Sequence, residues 1–131
     1  MNYYLDNDNF YNRLECYYKE YGKIIILFDF DDTIFPHIGD CNDIISLLKK
    51  WKNHAYLICY TARDNDQLDF VYNYLKEHDI PFDYINRDYK GKIPEAGQKI
   101  YGNIMLDDKC GLSLAYGALN KLINKIEMGK I

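Results

Sequence analysis

The sequence predicts an α/β domain built around a mostly parallel sheet. Two observations predict this class: short, continuous apolar runs recur along the chain, and segments whose apolar residues repeat every three or four positions separate them. Continuous apolar runs are typical of strands buried on both faces, and their alternation with helices is typical of parallel sheets. The 131 residues suffice for one core, so residues 1–131 are predicted to form a single domain without repeats or linkers.

Four strands are predicted, and each is a short apolar segment. They are residues 23–28 (KIIILF), 55–60 (AYLICY), 82–85 (FDYI) and 103–106 (NIML). Turn-rich residues 86–98 separate the last two strands.

Four amphipathic helices are predicted around these strands. They cover residues 8–21, about 41–53 after a cap at Asp40, a segment from a cap at Asp64 or Asn65 to about His78, and about 113–127. Their apolar stripes predict inward-facing side chains, namely Phe10, Leu14, Tyr17, Tyr18 and Tyr21 in the first helix, Ile44, Ile45, Leu47, Leu48 and Trp51 in the second, and Leu68, Val71, Tyr72 and Leu75 in the third.

Charge and composition argue against several classes of protein. A formal net charge of −4 and an isoelectric point near 5.3 disfavour a broad nucleic-acid-binding face. No apolar run approaches the roughly 20 residues that span a membrane, and the polar, acidic N-terminal segment is unlike a signal peptide. The four cysteines form no CxxC pair, so reduced thiols and a cytoplasmic location are predicted. A local basic cluster, Lys90, Lys92 and Lys99, either guides an anionic substrate or is solvated.

Polar side chains follow the predicted strands at the points where the strands end. Asp29, Asp31, Asp32 and Thr33 follow the first strand, Thr61 follows the second, and Asp107 and Asp108 follow the fourth, with Lys99 shortly before it. In open parallel sheets, ligands bind beyond the carboxyl ends of the strands. If the first strand is central and the fourth is its neighbour, Asp29, Asp31 and Asp108 converge. Clustered carboxylates repel one another unless a cation neutralises them, and Mg²⁺ is a hard ion that suits oxygen ligands.

Three of these segments resemble motifs of the haloacid dehalogenase (HAD) superfamily, in the order that the family has them. Residues 24–34 (IIILFDFDDTI) resemble the first motif, residues 57–63 (LICYTAR) the second, and residues 103–112 (NIMLDDKCGL) the fourth. A DxD after a strand is by itself usually a solvated turn, so the ordered set carries the resemblance, which covers about residues 23–116. The resemblance implies a three-layer, Rossmann-like (HAD-like) domain.

The resemblance also implies an activity, that of an Mg²⁺-dependent phosphomonoesterase with Asp29, Asp31, Thr61 and Lys99 as its catalytic residues. Asp29 is the implied nucleophile, which forms an aspartyl-phosphate, and Asp31 is the implied acid that protonates the leaving oxygen and then activates water. The implied ligands of Mg²⁺ are the carboxylates of Asp29 and Asp108 and the main-chain carbonyl of Asp31, with Asp107 in support.

Substrate contacts follow from the same resemblance, and they are assigned to Asp32, Thr33, Thr61 and Lys99. Thr61 and Lys99 are implied to hold the phosphoryl oxygens. Lys92 is the rival of Lys99 as the third-motif lysine, because Lys99 lacks the proline that usually follows it. Asp32 stands where many family members have glycine.

Two further residues lie near these motifs. Arg63 either binds phosphate or faces solvent, and the solvent-facing interpretation is favoured. His37 either touches substrate or lies on a surface loop, and the surface loop is favoured.

No cap domain is predicted over the site. Residues 30–60 and 62–98 are the segments in which family members insert a cap, and predicted helices and strands already fill them. An open site suits a bulky phosphorylated substrate, and the candidates are a nucleotide, a sugar phosphate or a nucleic-acid 3′-phosphate end. Alternatively, a homo-oligomer brings a neighbouring chain over the site.

Two other functions stay open. A receiver domain of a two-component regulator is also a small α/β domain with acidic residues, Thr, Lys and Mg²⁺, but its phosphorylated Asp follows the third strand. A catalytically silent HAD-fold binding module is the second alternative, although such a module has no chemical need for Asp31 as an acid.

Overall fold

The computed structural model describes residues 2–89 and 99–131. Its helices are α1 (Asn7–Tyr21), α2 (Asn42–Trp51), α3 (Leu68–Glu77) and α4 (Leu112–Glu127), and its strands are β1 (Ile24–Phe28), β2 (Ala55–Cys59), β3 (Tyr84–Ile85) and β4 (Ile104–Leu106). Short 3₁₀ turns at Tyr3–Leu5 and Asn65–Gln67 precede α1 and α3. Each predicted strand and helix is present, and only the ends differ.

The four strands form one sheet in which all neighbours are parallel. The strand order is β3-β2-β1-β4, so β1 is an interior strand. Ile24 pairs with Ala55 of β2, and Ile26 pairs with Ile104 of β4. All residues of β1 are buried, as its continuous apolar run predicts. The predicted α/β class, the parallel sheet and the adjacency of the first and fourth strands are confirmed.

Side chains complete the sheet where the two outer strands begin. The Asp83 N–H donates to the Leu57 carbonyl at 2.7 Å, and the Leu57 N–H donates back to Asp83 Oδ2 at 2.8 Å. In the same way, Asn103 donates its N–H to the Ile25 carbonyl at 2.8 Å and accepts the Ile25 N–H on Oδ1 at 2.7 Å. The third strand therefore begins at Tyr84 and not at residue 82, because Asp83 pairs through its side chain.

Helices pack against one face of the sheet. The main core joins Ile24, Ile26 and Phe28 to buried side chains of all four helices. The opposite face carries a smaller cluster, which consists of Ile25, Leu27 and Ile58 with Tyr56, Tyr84, Tyr89, Ile100 and Met105 around them. The parallel sheet with helices packed against it agrees with the predicted Rossmann-like, three-layer class.

Local capping residues set the ends of the first two helices. Asp6 caps α1 by accepting the Asp8 N–H at 2.8 Å, and Gly22 ends it with a left-handed φ of 76°. Cys41, and not the predicted Asp40, is the N-cap residue of α2, and it makes no side-chain cap hydrogen bond; Asp40, one residue earlier, accepts the Asn42 N–H at 3.1 Å. These contacts satisfy amide groups that the first turn of a helix leaves unpaired.

Two of the tyrosines that were predicted to face inward are exposed. Tyr72 is 47% exposed and Tyr21 is 51% exposed. The buried side of α3 is formed by Val71 and Leu75, and Tyr72 lies about 100° around the helix from Val71. Tyr21 is the last residue of α1. The buried residues of that helix are Leu14, which belongs to the predicted stripe, and Tyr11, which does not.

Gly102 lies two residues before β4 and against the side chain of Leu27. A Cβ at residue 102 would lie 2.5 Å from Leu27 Cγ, which is closer than two carbon atoms tolerate. We expect Gly102→Ala to lower the free energy of unfolding by about 1–3 kcal/mol, the usual effect of overpacking. Urea unfolding measures the change. Gly117→Ala is the control, because a Cβ there meets nothing within 4 Å and alanine favours helix α4. Equal stability of the two variants would contradict the close approach at Gly102.

No cap domain is present among the described residues. Between Asp29 and Thr61 the chain forms α2 and β2, and between Thr61 and Tyr89 it forms a 3₁₀ turn, α3 and β3. Nor does any helix in the described ranges combine the length and apolar character needed to cross a membrane.

Candidate functional site

Asp29 is the first residue after β1, and the sheet fixes its main chain. The Asp29 N–H donates to the Leu106 carbonyl at 2.9 Å, which extends the pairing of β1 with β4 by one step. On the other side of β1, the Tyr60 N–H donates to the Phe28 carbonyl at 2.8 Å. The half-buried side chain of Asp29 therefore lies at the carboxyl edge of the sheet.

Asp29, Asp107 and Asp108 form an acidic cluster at this edge. Each offers a carboxylate oxygen, and the three oxygens lie within 4.8 Å of one another. The sequence predicted that Asp29, Asp31 and Asp108 converge, with Asp107 in a supporting position. The structure brings Asp29, Asp107 and Asp108 together, whereas the Asp31 carboxylate is not in this cluster because it pairs with Arg63. An oxygen-only donor set of this kind fits a hard divalent cation such as Mg²⁺.

Crowding of these carboxylates changes the ionisation of Asp29. Burial of the side chain raises the pKa of Asp29 from 3.8 to about 7, and the charges of Asp107 and Asp108 and a hydrogen bond with Asp108 add to the rise. A hydrogen bond from the Phe30 N–H acts in the opposite direction. Ionised Asp29 therefore destabilises the folded chain, and a bound cation would offset this effect.

Asp29→Asn is expected to stabilise the metal-free protein above about pH 7. The unfolded carboxyl ionises near pH 3.8 and the folded one at about pH 7, so the folded state loses stability as the pH rises between these values. Below pH 3.8 the carboxyl is mostly protonated in both states, so at about pH 4 the substitution should have only a small effect. Well above pH 7 we expect a gain of about 1 kcal/mol or more, which corresponds to about 3–6 °C in melting temperature.

Thermal unfolding in EDTA, at about pH 4 and about pH 8, measures this difference. Asp69→Asn is the control for net charge, because it removes an exposed carboxylate from the first turn of α3. The same shift for Asp29→Asn at both pH values would contradict the raised pKa of Asp29 in the folded chain.

Thr33 holds one member of the acidic cluster. Its side chain is buried, at 1% exposure. Thr33 Oγ1 accepts the Asp108 N–H at 3.1 Å and lies 3.5 Å from Asp108 Oδ1, to which the hydroxyl donates. Asp107 Oδ1 accepts the Lys109 N–H at 2.8 Å. The hydroxyl that was predicted to contact substrate thus orients Asp108, and its contact with substrate stays a prediction.

The loop after Asp29 turns tightly over the edge of the sheet. The Phe30 carbonyl accepts the N–H groups of Ile34 and Phe35, both at 2.9 Å. Asp32 takes a left-handed φ of 65° in this loop, a conformation that glycine adopts freely and that Asp tolerates better than most residues. The exposed Asp32 carboxylate lies 2.6 Å from His37 Nδ1, so His37 contacts the loop directly.

Thr61 lies just beyond β2, and Asn86 fixes its position. The Thr61 N–H donates to Asn86 Oδ1 at 2.8 Å, and Asn86 Nδ2 donates to the Thr61 carbonyl at 2.9 Å. The Thr61 hydroxyl oxygen accepts the Arg63 N–H at 3.2 Å, which leaves its proton available for another acceptor. Asn86 was not predicted, and its only signal in the sequence is that it follows the third strand.

Arg63 binds the side chain of Asp31 with two hydrogen bonds. Nε donates to Oδ2 at 3.0 Å, and Nη2 donates to Oδ1 at 2.8 Å. The Arg63 guanidinium beside Asp31 holds the pKa of that carboxyl below its usual range. The expectation that Arg63 faces solvent is therefore wrong: its side chain is only 23% exposed, because the ion pair holds it against the site.

Of the two candidate lysines, only Lys99 lies within the described residues. Lys99 is exposed and, within residues 2–89 and 99–131, forms no ion pair. The chain next to it is anchored, since the Tyr101 N–H donates to Asp88 Oδ1 at 2.7 Å. Lys92 and Lys90 lie outside the described residues. The choice between Lys99 and Lys92 as the phosphate-binding lysine stays a prediction.

A groove of about 450 Å³ lies beside the loop of Asp32 and Thr33 and is bordered on its far side by Leu112 and Tyr116 of α4. Thr33, which orients Asp108, links this groove to the acidic cluster. A second cavity, of about 550 Å³, lies between Leu75 and Phe82 near the amino end of β3. Because it lies away from the acidic cluster, it is not part of this site.

No family model matches this chain, and no curated protein matches it. Among solved structures, the chain is similar to a conserved protein from Bacteroides thetaiotaomicron, with a TM-score of 0.58 and 22% sequence identity. The match covers 83% of this chain and 93% of that chain. At this identity the likeness shows a shared α/β fold.

Proposed function

We propose that this chain is an Mg²⁺-dependent phosphohydrolase of the HAD type, which cleaves phosphate monoesters through an aspartyl-phosphate at Asp29. The observation that carries the proposal is the convergence of Asp29, Asp107 and Asp108 at the carboxyl ends of β1 and β4. A carboxylate nucleophile beside a divalent cation is suited to attack phosphorus, because the cation neutralises the repulsion between the two anions.

The residues at the sheet edge fit Mg²⁺ by the chemistry of their donors. The carboxylates of Asp29 and Asp108 and the main-chain carbonyl of Asp31 would hold the ion, and Asp107 is close enough to add a ligand or to orient a bound water. When bound, the ion supplies charge neutralisation between phosphate and carboxylates. Thr33 would keep Asp108 in its liganding position.

Two steps follow from the proposed roles. In the first, an Asp29 oxygen bonds to phosphorus, the ester P–O bond breaks, and Asp31 gives its proton to the leaving oxygen. In the second, the Asp31 carboxylate takes a proton from a water whose oxygen attacks phosphorus. The bond between phosphorus and Asp29 then breaks, which releases phosphate and restores both carboxyl groups.

Thr61 and Lys99 are the proposed contacts to the phosphoryl oxygens. The Thr61 hydroxyl has a free proton to donate, and Asn86 holds its main chain in place. The Lys99 ammonium would offset charge that spreads over the phosphoryl oxygens in the transition state. Lys99 is exposed, and its contact with a bound anion is part of the proposal.

The open groove beside the site supports a substrate larger than a simple ester, and the proposed classes are a nucleotide, a sugar phosphate and a nucleic-acid 3′-phosphate end. Contacts outside the acidic cluster would then supply the binding energy that a cap domain supplies in family members that have one. A second copy of the chain over the site is the alternative. A cytoplasmic location is part of the proposal, and the four free thiols, Cys16, Cys41, Cys59 and Cys110, support it.

Phosphate release from a panel of these ester classes, with Mg²⁺ and with EDTA, tests the proposal. We expect turnover that requires Mg²⁺ and that rises from small sugar phosphates to nucleotides and 3′-phosphorylated oligonucleotides. Phosphorylation of the chain without turnover would favour a receiver domain instead. Binding of a phosphate ester with neither phosphorylation nor turnover would favour a silent binding module.

A further inference from the structure

Arg63 and Asp31 form a two-point contact between segments that lie far apart in the chain. The planar guanidinium presents Nε and Nη2 to the two carboxylate oxygens of Asp31, at 3.0 and 2.8 Å. Such a fork fixes the direction of a carboxyl group as well as its distance, which a single hydrogen bond does not do. Without it, Asp31 would be a partly exposed side chain on a loop.

The guanidinium is itself held in place by aromatic rings. Arg63 Cζ lies 5.2 Å from the ring centre of Phe30, 5.4 Å from that of Phe35 and 5.1 Å from that of Phe70. Phe30 and Phe35 stack with ring centres 5.3 Å apart, and Phe30 is fully buried. Rings around a cation attract it and restrict its movement, so the rigid core of the domain defines where Arg63 lies.

We propose that Arg63 is a positioning residue that aims the Asp31 carboxyl at the leaving-group oxygen. This inference rests on the proposed function and deepens it. A general acid must lie about 2.6–3.2 Å from the atom that it protonates, so a freely rotating carboxyl would seldom be in place. Arg63 lowers the pKa of Asp31, so Asp31 takes up the proton that it later donates when the phosphate ester binds beside it. Each Asp31 oxygen keeps a second lone pair beyond the one that accepts from Arg63, so the fork leaves room for that proton.

Arg63 also has a role as the proton moves. When Asp31 gives its proton to the ester oxygen, the ester P–O bond breaks and negative charge develops on the Asp31 carboxyl. The guanidinium is already placed to stabilise that charge without rearrangement. Arg63 should therefore matter most for esters whose leaving oxygen needs a proton, and little for esters whose leaving group departs as a stable anion.

The test compares two esters in the full chain with Mg²⁺. Phenyl phosphate needs protonation of its leaving oxygen, and 2,4-dinitrophenyl phosphate does not. We expect Arg63→Met to lower kcat for phenyl phosphate by at least about 10-fold and kcat for the dinitrophenyl ester by less than about threefold, since general acid catalysis contributes only to the former. Arg63→Lys, which keeps the charge but loses the fork, should not restore phenyl phosphate turnover.

Arg13→Met is the matched control, because Arg13 contacts Tyr4 and Tyr17 beside the amino end of β4, at the opposite end of that strand from the acidic cluster. It should leave both rates unchanged. If Arg63→Met unfolds below the assay temperature, kcat of Arg63→Lys for the two esters is compared instead.

Three results would overturn the role of Arg63: an equal loss for both esters, no loss for phenyl phosphate, or full rescue of phenyl phosphate turnover by lysine. These outcomes leave the proposed function intact if the wild-type chain hydrolyses both esters. Hydrolysis of neither ester by the wild-type chain would overturn the proposed function and this inference with it.

Discussion

Asp29→Asn is expected to reduce phosphate ester hydrolysis by roughly 10⁴-fold or more, since removal of the nucleophile removes the covalent route. An amide does not form an acyl phosphate, and the amide side chain would still fill the space of the carboxyl at the end of β1. The loss should occur in a protein whose metal-free stability at neutral pH is increased. Activity and thermal unfolding of the same sample therefore separate loss of chemistry from loss of fold.

A chemical trap identifies the nucleophile directly. The chain is mixed with a radiolabelled activated ester and the reaction is quenched rapidly. The wild-type chain should then carry labelled phosphate that alkali or hydroxylamine removes, and Asp29→Asn should carry none. Asp31→Asn is the informative control. With an ester whose leaving group departs without protonation, this variant should form the labelled intermediate and then hydrolyse it slowly. Labelling of Asp29→Asn at the wild-type level would move the nucleophile to another residue.

Lys99→Ala is expected to lower turnover by about 10²-fold or more, the scale of one lost electrostatic contact to a transition state. The ammonium group offsets negative charge that spreads over the phosphoryl oxygens, so kcat should fall more than KM rises. Steady-state kinetics with one ester and saturating Mg²⁺ measure both values.

Lys92→Ala is the matched comparison for Lys99→Ala. It removes the same charge from the same basic cluster and should lower turnover much less. Lys99→Arg should recover part of the lost rate, because it restores a cation on a side chain of similar length. The opposite ranking of the two alanine variants would assign the third motif to Lys92.

Much of this architecture is predictable from local sequence patterns. The apolar run of β1 predicted a strand buried on both faces, and every residue of β1 is buried. The acidic pairs that follow the first and fourth strands predicted a shared edge, because parallel strands in neighbouring positions end together. Asp29, Asp107 and Asp108 do meet there.

Contacts between distant segments were not predictable in the same way. Arg63 was expected in solvent, since nothing in the pattern around it specifies a partner on the loop that holds Asp31. Asn86 gave no signal because its role depends on the pairing of β2 with β3, which brings it beside Thr61. The apolar stripe of α3 includes Tyr72, but the helix buries a narrower face that Val71 and Leu75 form, so Tyr72 is exposed.

The link between Asn86 and Thr61 makes the two halves of the site depend on parts of the molecule with different local stability. Asp29 extends from β1, whose amides are paired on both sides and should exchange with solvent hydrogen only on global unfolding. Asn86 follows β3, a two-residue strand at the edge of the sheet, where opening requires little loss of packing. Each brief opening of β3 would release Thr61 while leaving the carboxylates in place. If Thr61 and the carboxylates bind phosphate and a cation as proposed, mild denaturant would weaken phosphate binding before it weakens cation binding.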